Sequence, residues 1–198
     1  MPHMQPLAFD SVAEDIQERF IHYKNTRGFT PNSIQTMARR PNIVRAFMQL
    51  NQAVLYEGTV SEELKMLVSL IASQAAGCRY CQAHMANLSK IYDASAEKIA
   101  RVWEFETAEC FTDAERAALR LAYKGALAPA QATEEDFAAA YKHFSEDEVV
   151  EIVASIALFG FLNRWNDTMA SELEDLPAEV AKQTIGNEFG WEAGKHSG

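Results

Sequence analysis

The sequence predicts an all-α fold built as one domain, and three observations carry that reading. Apolar residues recur at the i, i+3, i+4, i+7 spacing of a helix face from end to end. Ser or Thr followed three residues later by Glu, the pattern of a capped helix start, precedes several of those runs. Short alternating runs bounded by turn residues, the mark of strands, are almost absent. The 198 residues suit one large domain or two small ones, and no low-complexity linker divides them. One helical domain over 1–198 is the result.

Helices are expected over residues 10–24, 32–38, 42–57, 61–76, 79–91, 95–104, 113–127, 134–143, 146–162 and 165–184. Pro31 and Pro41 suit first helical turns, where a missing N–H costs nothing. Gly58 and Gly77 suit helix ends. Thr59 with Glu62, Thr112 with Glu115 and Ser145 with Glu148 have capping-box spacing. Leu64, Leu67, Val68, Ile71, Ala72 and Ala75 form one buried face; Val149, Ile152, Val153, Ile156, Ala157 and Gly160 repeat it. A shift of 85 residues lays 61–82 on 146–167, with Glu63/Glu148, Val68/Val153, Ile71/Ile156, Ala72/Ala157 and Arg79/Arg164 identical. That echo suggests an internal two-fold helical repeat. The tail from Gly186 carries four glycines and is expected to fray or to dock on a neighbour.

Charge excludes one class of partner. Eighteen basic residues against twenty-eight acidic ones give a net charge of −10, and no Lys/Arg cluster exceeds a pair. Phosphate backbones would repel such a chain, so nucleic acid is not expected. The longest apolar stretch, 152–162, is about half a membrane span and reads as a buried helix. Residues 1–10 lack a charged start followed by an apolar run, so the expected location is cytoplasmic.

Three cysteines occur, and two of them, Cys78 and Cys81, form a Cys-x-x-Cys pair. In a cytosolic chain that spacing reads as redox chemistry or metal binding. Gly77 can end one helix, so Cys78 would open the next, facing unpaired N–H groups and the positive end of a helix dipole. Both favour thiolate over thiol. Cys81 lies one turn further on the same face, within disulfide reach. His84 lies three residues after Cys81, where it takes a proton from that thiol or, as imidazolium, stabilises its thiolate. Zinc is the competing use, but a structural site wants four ligands, and neither Cys110 nor His143 has a spacing that supplies the fourth. A third reading makes the pair two buried core cysteines beside an incidental histidine. His3 and His196 are placed in flexible ends, His22 and His143 on the surface, and Cys110 as a lone buried thiol. Asn163, Arg164 and Asp167 suggest a buried polar network at the end of an apolar helix.

The run from Leu64 through His84, with its apolar helix, Gly-Cys-x-Tyr-Cys and following histidine, resembles the carboxymuconolactone decarboxylase superfamily. Within it the chain is similar to the alkyl hydroperoxidase D (AhpD)-like, peroxidase-related branch. The likeness covers a core of about 31–176, including Pro41-Asn42, Glu115-Arg116 and the stretch 161–167, with the N-terminal helix and the tail as extensions. The resemblance implies an AhpD-like helical bundle, assembly into homo-oligomers and a thiol-disulfide peroxidase activity. It makes Cys78 and Cys81 the redox pair and His84 the proton relay. The chain departs from the family pattern in three places. His84 follows Cys81 by three residues where the family commonly has four, a rotation of about 100° on a helix. Met66 replaces the relay glutamate that usually stands twelve residues before the first cysteine. Tyr80 stands where AhpD itself has histidine.

The 85-residue shift sets Met66 opposite Glu151, a carboxylate in an apolar run, and so nominates Glu151 as the missing relay, within about 3–6 Å of Cys78, Cys81 or His84. The expected function is then a dithiol peroxidase taking a small peroxide and an external thiol or disulfide reductant. It needs no metal and no cofactor, and no glycine-rich phosphate loop is present. A cofactor-free decarboxylase of a lactone-type substrate and a non-catalytic protein whose assembly is latched by the disulfide are the alternatives.

Overall fold

The computed structural model describes residues 1–186 and 190–198. Among them stand ten α-helices and no strand: α1 (Glu14–Arg27), α2 (Asn32–Met37), α3 (Pro41–Tyr56), α4 (Glu62–Ala75), α5 (Arg79–Ile91), α6 (Ala96–Ala100), α7 (Asp113–Ala126), α8 (Glu134–Ala140), α9 (Glu146–Met169) and α10 (Asp175–Ala181). The expected all-α class holds. None of the helices is long and apolar enough to cross a membrane.

The centre of the bundle is α4. Every residue from Leu64 to Ser73 is buried, because α5, α7 and α9 surround this helix rather than cover one face of it. Its polar side chains are satisfied locally: Ser69 and Ser73 donate to the carbonyls of Lys65 and Ser69, one turn back. Around it, α3 packs on α9, α7 on α8, and α10 on α5.

Capping explains most boundaries. The Thr112/Glu115 and Ser145/Glu148 boxes form as expected, and Thr133 with Asp136 forms another. The start of α4 is capped by Ser61, not by Thr59. Gly58 and Gly77 adopt left-handed backbone, at φ +95° and +74°, and so end α3 and α4.

Two expectations fail in the last third. No break separates residues 162 and 165: α9 runs unbroken to Met169, because nothing there interrupts its hydrogen bonds and Asn163 donates to Ala72 O (3.4 Å) on α4. The helix ends at Ala170, in left-handed backbone, and residues 170–174 form a connecting loop where a helix was expected. The buried side of α9 carries Ser155, Phe159 and Asn166; Val153, Ala157 and Gly160 face outward. The sequence echo is therefore not matched element by element, since α4 and α5 break at Gly77 where α9 continues.

The tail is the second failure. Residues 187–189 lie outside the described residues, but 190–198 fold back on their own chain. Trp191 and His196 are buried, His196 Nδ1 meets Ser171 O at 2.8 Å, and Leu173 N donates to His196 O at 2.9 Å. His196, expected in a flexible end, instead braces the 170–174 loop.

Candidate active site

Gly77 turns the chain so that Cys78 caps α5, its Sγ accepting the Cys81 N–H at 3.5 Å. This is the helix-start geometry expected from the sequence. One turn on, Cys81 points inward beside α9, where Asn166 Nδ2 donates to its sulfur at 3.4 Å. Both cysteines are reduced and buried. Burial pushes the Cys81 thiol well above its ordinary range, and the hydrogen bond and charge of Cys78 push it further; Asn166 works against them.

His84 follows on the same face, sandwiched by aromatic rings. Tyr80 stacks on it with centroids 4.3 Å apart, and Phe29 meets it edge-on at 5.4 Å. Its Nε2 lies 2.6 Å from Glu174 Oε2. The other carboxylate oxygen accepts from Tyr80 OH (2.9 Å) and from Asn32 N (2.5 Å), the first amide of α2. Burial raises the Glu174 carboxyl, but the charge and hydrogen bond of His84, helped by the Asn32 amide, outweigh it and hold the group below its ordinary value. Tyr80 OH also receives Ser33 N–H at 3.3 Å. Its own ionisation is pushed well up by burial and by Glu174, so it stays a neutral donor.

The expected relay, Glu151, is not at this site. Its carboxylate is bound to Lys65 Nζ (2.7 Å), Thr59 N (2.8 Å) and Val60 N (3.1 Å). That cluster surrounds the first turn of α4, whereas Cys78 follows the last, about 20 Å away at the rise of an α-helix. Burial raises Glu151 and Lys65 more than compensates, with the two amides, so it too is held low. The cause of the error is the 85-residue register itself, which is not matched by equivalent element ends. Glu174, at the end of the 170–174 loop, is the carboxylate that meets His84, and nothing in its local sequence marks it.

Cys81 and His84 line a cavity of about 40 Å³, room for two or three waters or a small hydroperoxide. Its wall is otherwise largely apolar, with Ile34, Phe47, Leu55 and Phe159. Cys78 is walled off behind Cys81. The expected polar network is split: Asn163 and Asn166 turn inward, while Asp167 pairs with Lys195 at 2.8 Å. Cys110 stands apart, but it is half-buried and not the buried thiol expected; partial burial and Glu97 raise its thiol. Among the described residues no three His, Cys, Asp or Glu groups gather as a metal centre would require.

The model of the carboxymuconolactone decarboxylase family matches residues 41–124. Among solved structures, a cysteine-to-alanine variant of the debrominase Bmp8 in complex with 2,3,4-tribromopyrrole is 33% identical, with a TM-score of 0.85 over 90% of this chain and 95% of that one. Bmp8 without ligand is 34% identical, with a TM-score of 0.84 over 90% and 96%. An AhpD-core, uncharacterized peroxidase-related protein from Ralstonia eutropha JMP134 is 25% identical, with a TM-score of 0.81 over 91% and 95%. No curated protein matches. A family match across the cysteine segment, joined to a third of residues shared over nearly the whole fold, places the chain in the carboxymuconolactone decarboxylase family, among its AhpD-like members.

Proposed function

We propose that the chain is a thiol-disulfide oxidoreductase that reduces peroxides at Cys78 and Cys81, with His84 and Glu174 moving the proton. The carrying observation is that the thiol facing the cavity shares it with a histidine whose far side is held by a buried carboxylate. Glu174 orients the His84 ring through Nε2, which suits His84 to take the Cys81 proton as substrate enters. The Cys81 thiolate then attacks the O–O bond. Its sulfur gains one oxygen as sulfenic acid, and the other leaves as alcohol or water with the proton from His84. Cys78 condenses with that sulfenic acid, releasing water and closing the disulfide. Two thiols of an external reductant reopen it. Peroxide consumption with dithiothreitol, compared in wild type and Cys81→Ser, tests this reading: the variant is expected to lose turnover, and equal rates would end it.

A second reading is favoured by the likeness to Bmp8 and by the aromatic side chains, Tyr23, Phe47 and Phe159, that line the cavity. The same two-electron change, dithiol to disulfide, balances replacement of an aryl C–Br bond by C–H with release of bromide and one proton. Bromide release from a brominated pyrrole under dithiothreitol separates the two. We further propose a homo-oligomer in the cytoplasm, joined through the outward apolar side of α9 at Val150, Val153 and Phe161. A light-scattering mass of one chain at micromolar concentration would reject that assembly.

A further inference from the structure

A second, wider cavity opens outside the first. It measures about 230 Å³, and Tyr23, Arg27 and Asn51 line both, so the two chambers adjoin at these residues. Its charge runs against the rest of the molecule. In a chain of net charge −10, the ionisable side chains on its wall are Arg19, Arg27, His22 and three tyrosines, and no carboxylate lines either cavity. Two acids act from behind the walls: Glu62 on Tyr92 in the outer chamber, and Glu174, already bound to His84 and Tyr80, at the inner one.

Arg27 stands at the junction and is held ready. Its guanidinium lies 4.6 Å over the Tyr23 ring, and Nη2 donates to Tyr56 OH at 2.7 Å. Neither Arg27 nor Arg19 forms an ion pair among the described residues, although Arg45, Arg101, Arg116 and Arg120 all do. A guanidinium has five N–H donors in a planar fork, so one bond to a tyrosine leaves most of them for an anion. The inner end is apolar, formed by Phe47, Leu55 and Phe159, with Cys81 at its base.

The geometry points to a small organic anion with a short apolar chain as the substrate class, its carboxylate or other anionic group on Arg27, with Arg19 and His22 beside it, and its reacting end toward Cys81. This assignment rests on reading Cys81 as the reacting thiol. Field and shape then work together: the basic chamber draws in an anion that the rest of the surface repels, and the apolar chamber takes the remainder.

Binding of butyrate and of butyramide, measured by calorimetry on the reduced full chain, tests the anion site without any turnover. The acid is expected to bind at least tenfold tighter than the amide. Arg27→Gln should erase that preference, and Arg27→Lys should retain part of it. Equal affinities in the wild type, no binding of either probe, or a preference that survives Arg27→Gln would each overturn the proposal. The amide comparison needs no variant, so a misfolded Arg27→Gln cannot shield it. A separate arm reads thiol loss on adding hydrogen peroxide, which carries no anionic group. Failure there with the acid preference intact would strike the redox reading of Cys81 and leave the anion site standing.

Discussion

Two glutamates, Glu151 and Glu174, each meet a buried basic side chain and are each held below the ordinary carboxyl value, yet only Glu174 reaches a residue that lines the cavity of Cys81. Glu151 binds Lys65, whose side chain is 1% exposed, and spends its remaining acceptor sites on the amides of Thr59 and Val60. Lys65 also donates to Glu57 O at 2.5 Å, so the group ties the ends of α3 and α4 to α9. A side chain at Gly58 would run into this carboxylate, which explains why that left-handed turn is a glycine. Glu174 instead binds an imidazole that faces a cavity beside a thiol. The partner sets what each carboxylate can do: an ammonium sealed from solvent makes a clasp, whereas an imidazole facing the cavity gives Glu174 the place that the proposed relay requires.

The sharpest way to break this contrast is to neutralise each carboxylate in turn. Glu174→Gln should lower peroxide turnover by about 10²-fold or more, the scale of a lost general-base contribution. Glu151→Gln should leave turnover within about twofold. Equal losses in the two variants, measured as kcat/KM, would erase the distinction.

Stability should respond the other way. Glu151→Gln strands the buried Lys65 charge, a change worth about 3–5 kcal/mol in comparable pairs, readable in urea unfolding. Glu174→Gln should cost less, since the partner left behind is an imidazole, which carries no obligatory charge.

Acid should weaken both clasps. Each carboxyl is held below its ordinary value of 4.5 in the folded chain, so the unfolded chain binds more protons as the pH drops. The stability they contribute is complete above about pH 5 and is lost as the pH falls through the folded values. Urea midpoints between pH 3 and 6 should fall less steeply in Glu174→Gln than in the wild type. An unchanged slope would mean the Glu174–His84 pair contributes nothing.

Tyr80→Phe is the finest probe. It removes one donor to Glu174 and the acceptor of Ser33 N–H. The expected cost is about 1–3 kcal/mol of stability with turnover reduced less than in Glu174→Gln. A larger kinetic loss than that of Glu174→Gln would make the tyrosine, not the carboxylate, the main partner of His84.

How much of this was legible follows the same division. Cys78, Cys81 and His84 are local: a glycine, a helix start and one-turn spacings place them with no tertiary information. Helices with caps and apolar stripes were readable for the same reason, although the full burial of α4 was not, because its surroundings come from distant segments. Glu174 was hidden by a continuous helix expected over 165–184, which would have left it on a helix flank. The loop at 170–174 arises because Ala170 takes a left-handed turn and the tail braces Leu173 through His196, and neither choice has a sequence signal. Glu151 is conspicuous as a charge in an apolar run, yet that pattern serves the buried Lys65 on another helix.

The most direct test of the central claim counts thiols. Reduced protein is treated with one equivalent of hydrogen peroxide, alkylated and analysed as peptides by mass spectrometry. The account predicts the loss of two thiols, a Cys78–Cys81 disulfide and an unmodified Cys110, with the reaction slowed in Glu174→Gln. A link between Cys78 and Cys110, or oxidation of Cys81 no faster than that of free cysteine, would contradict it.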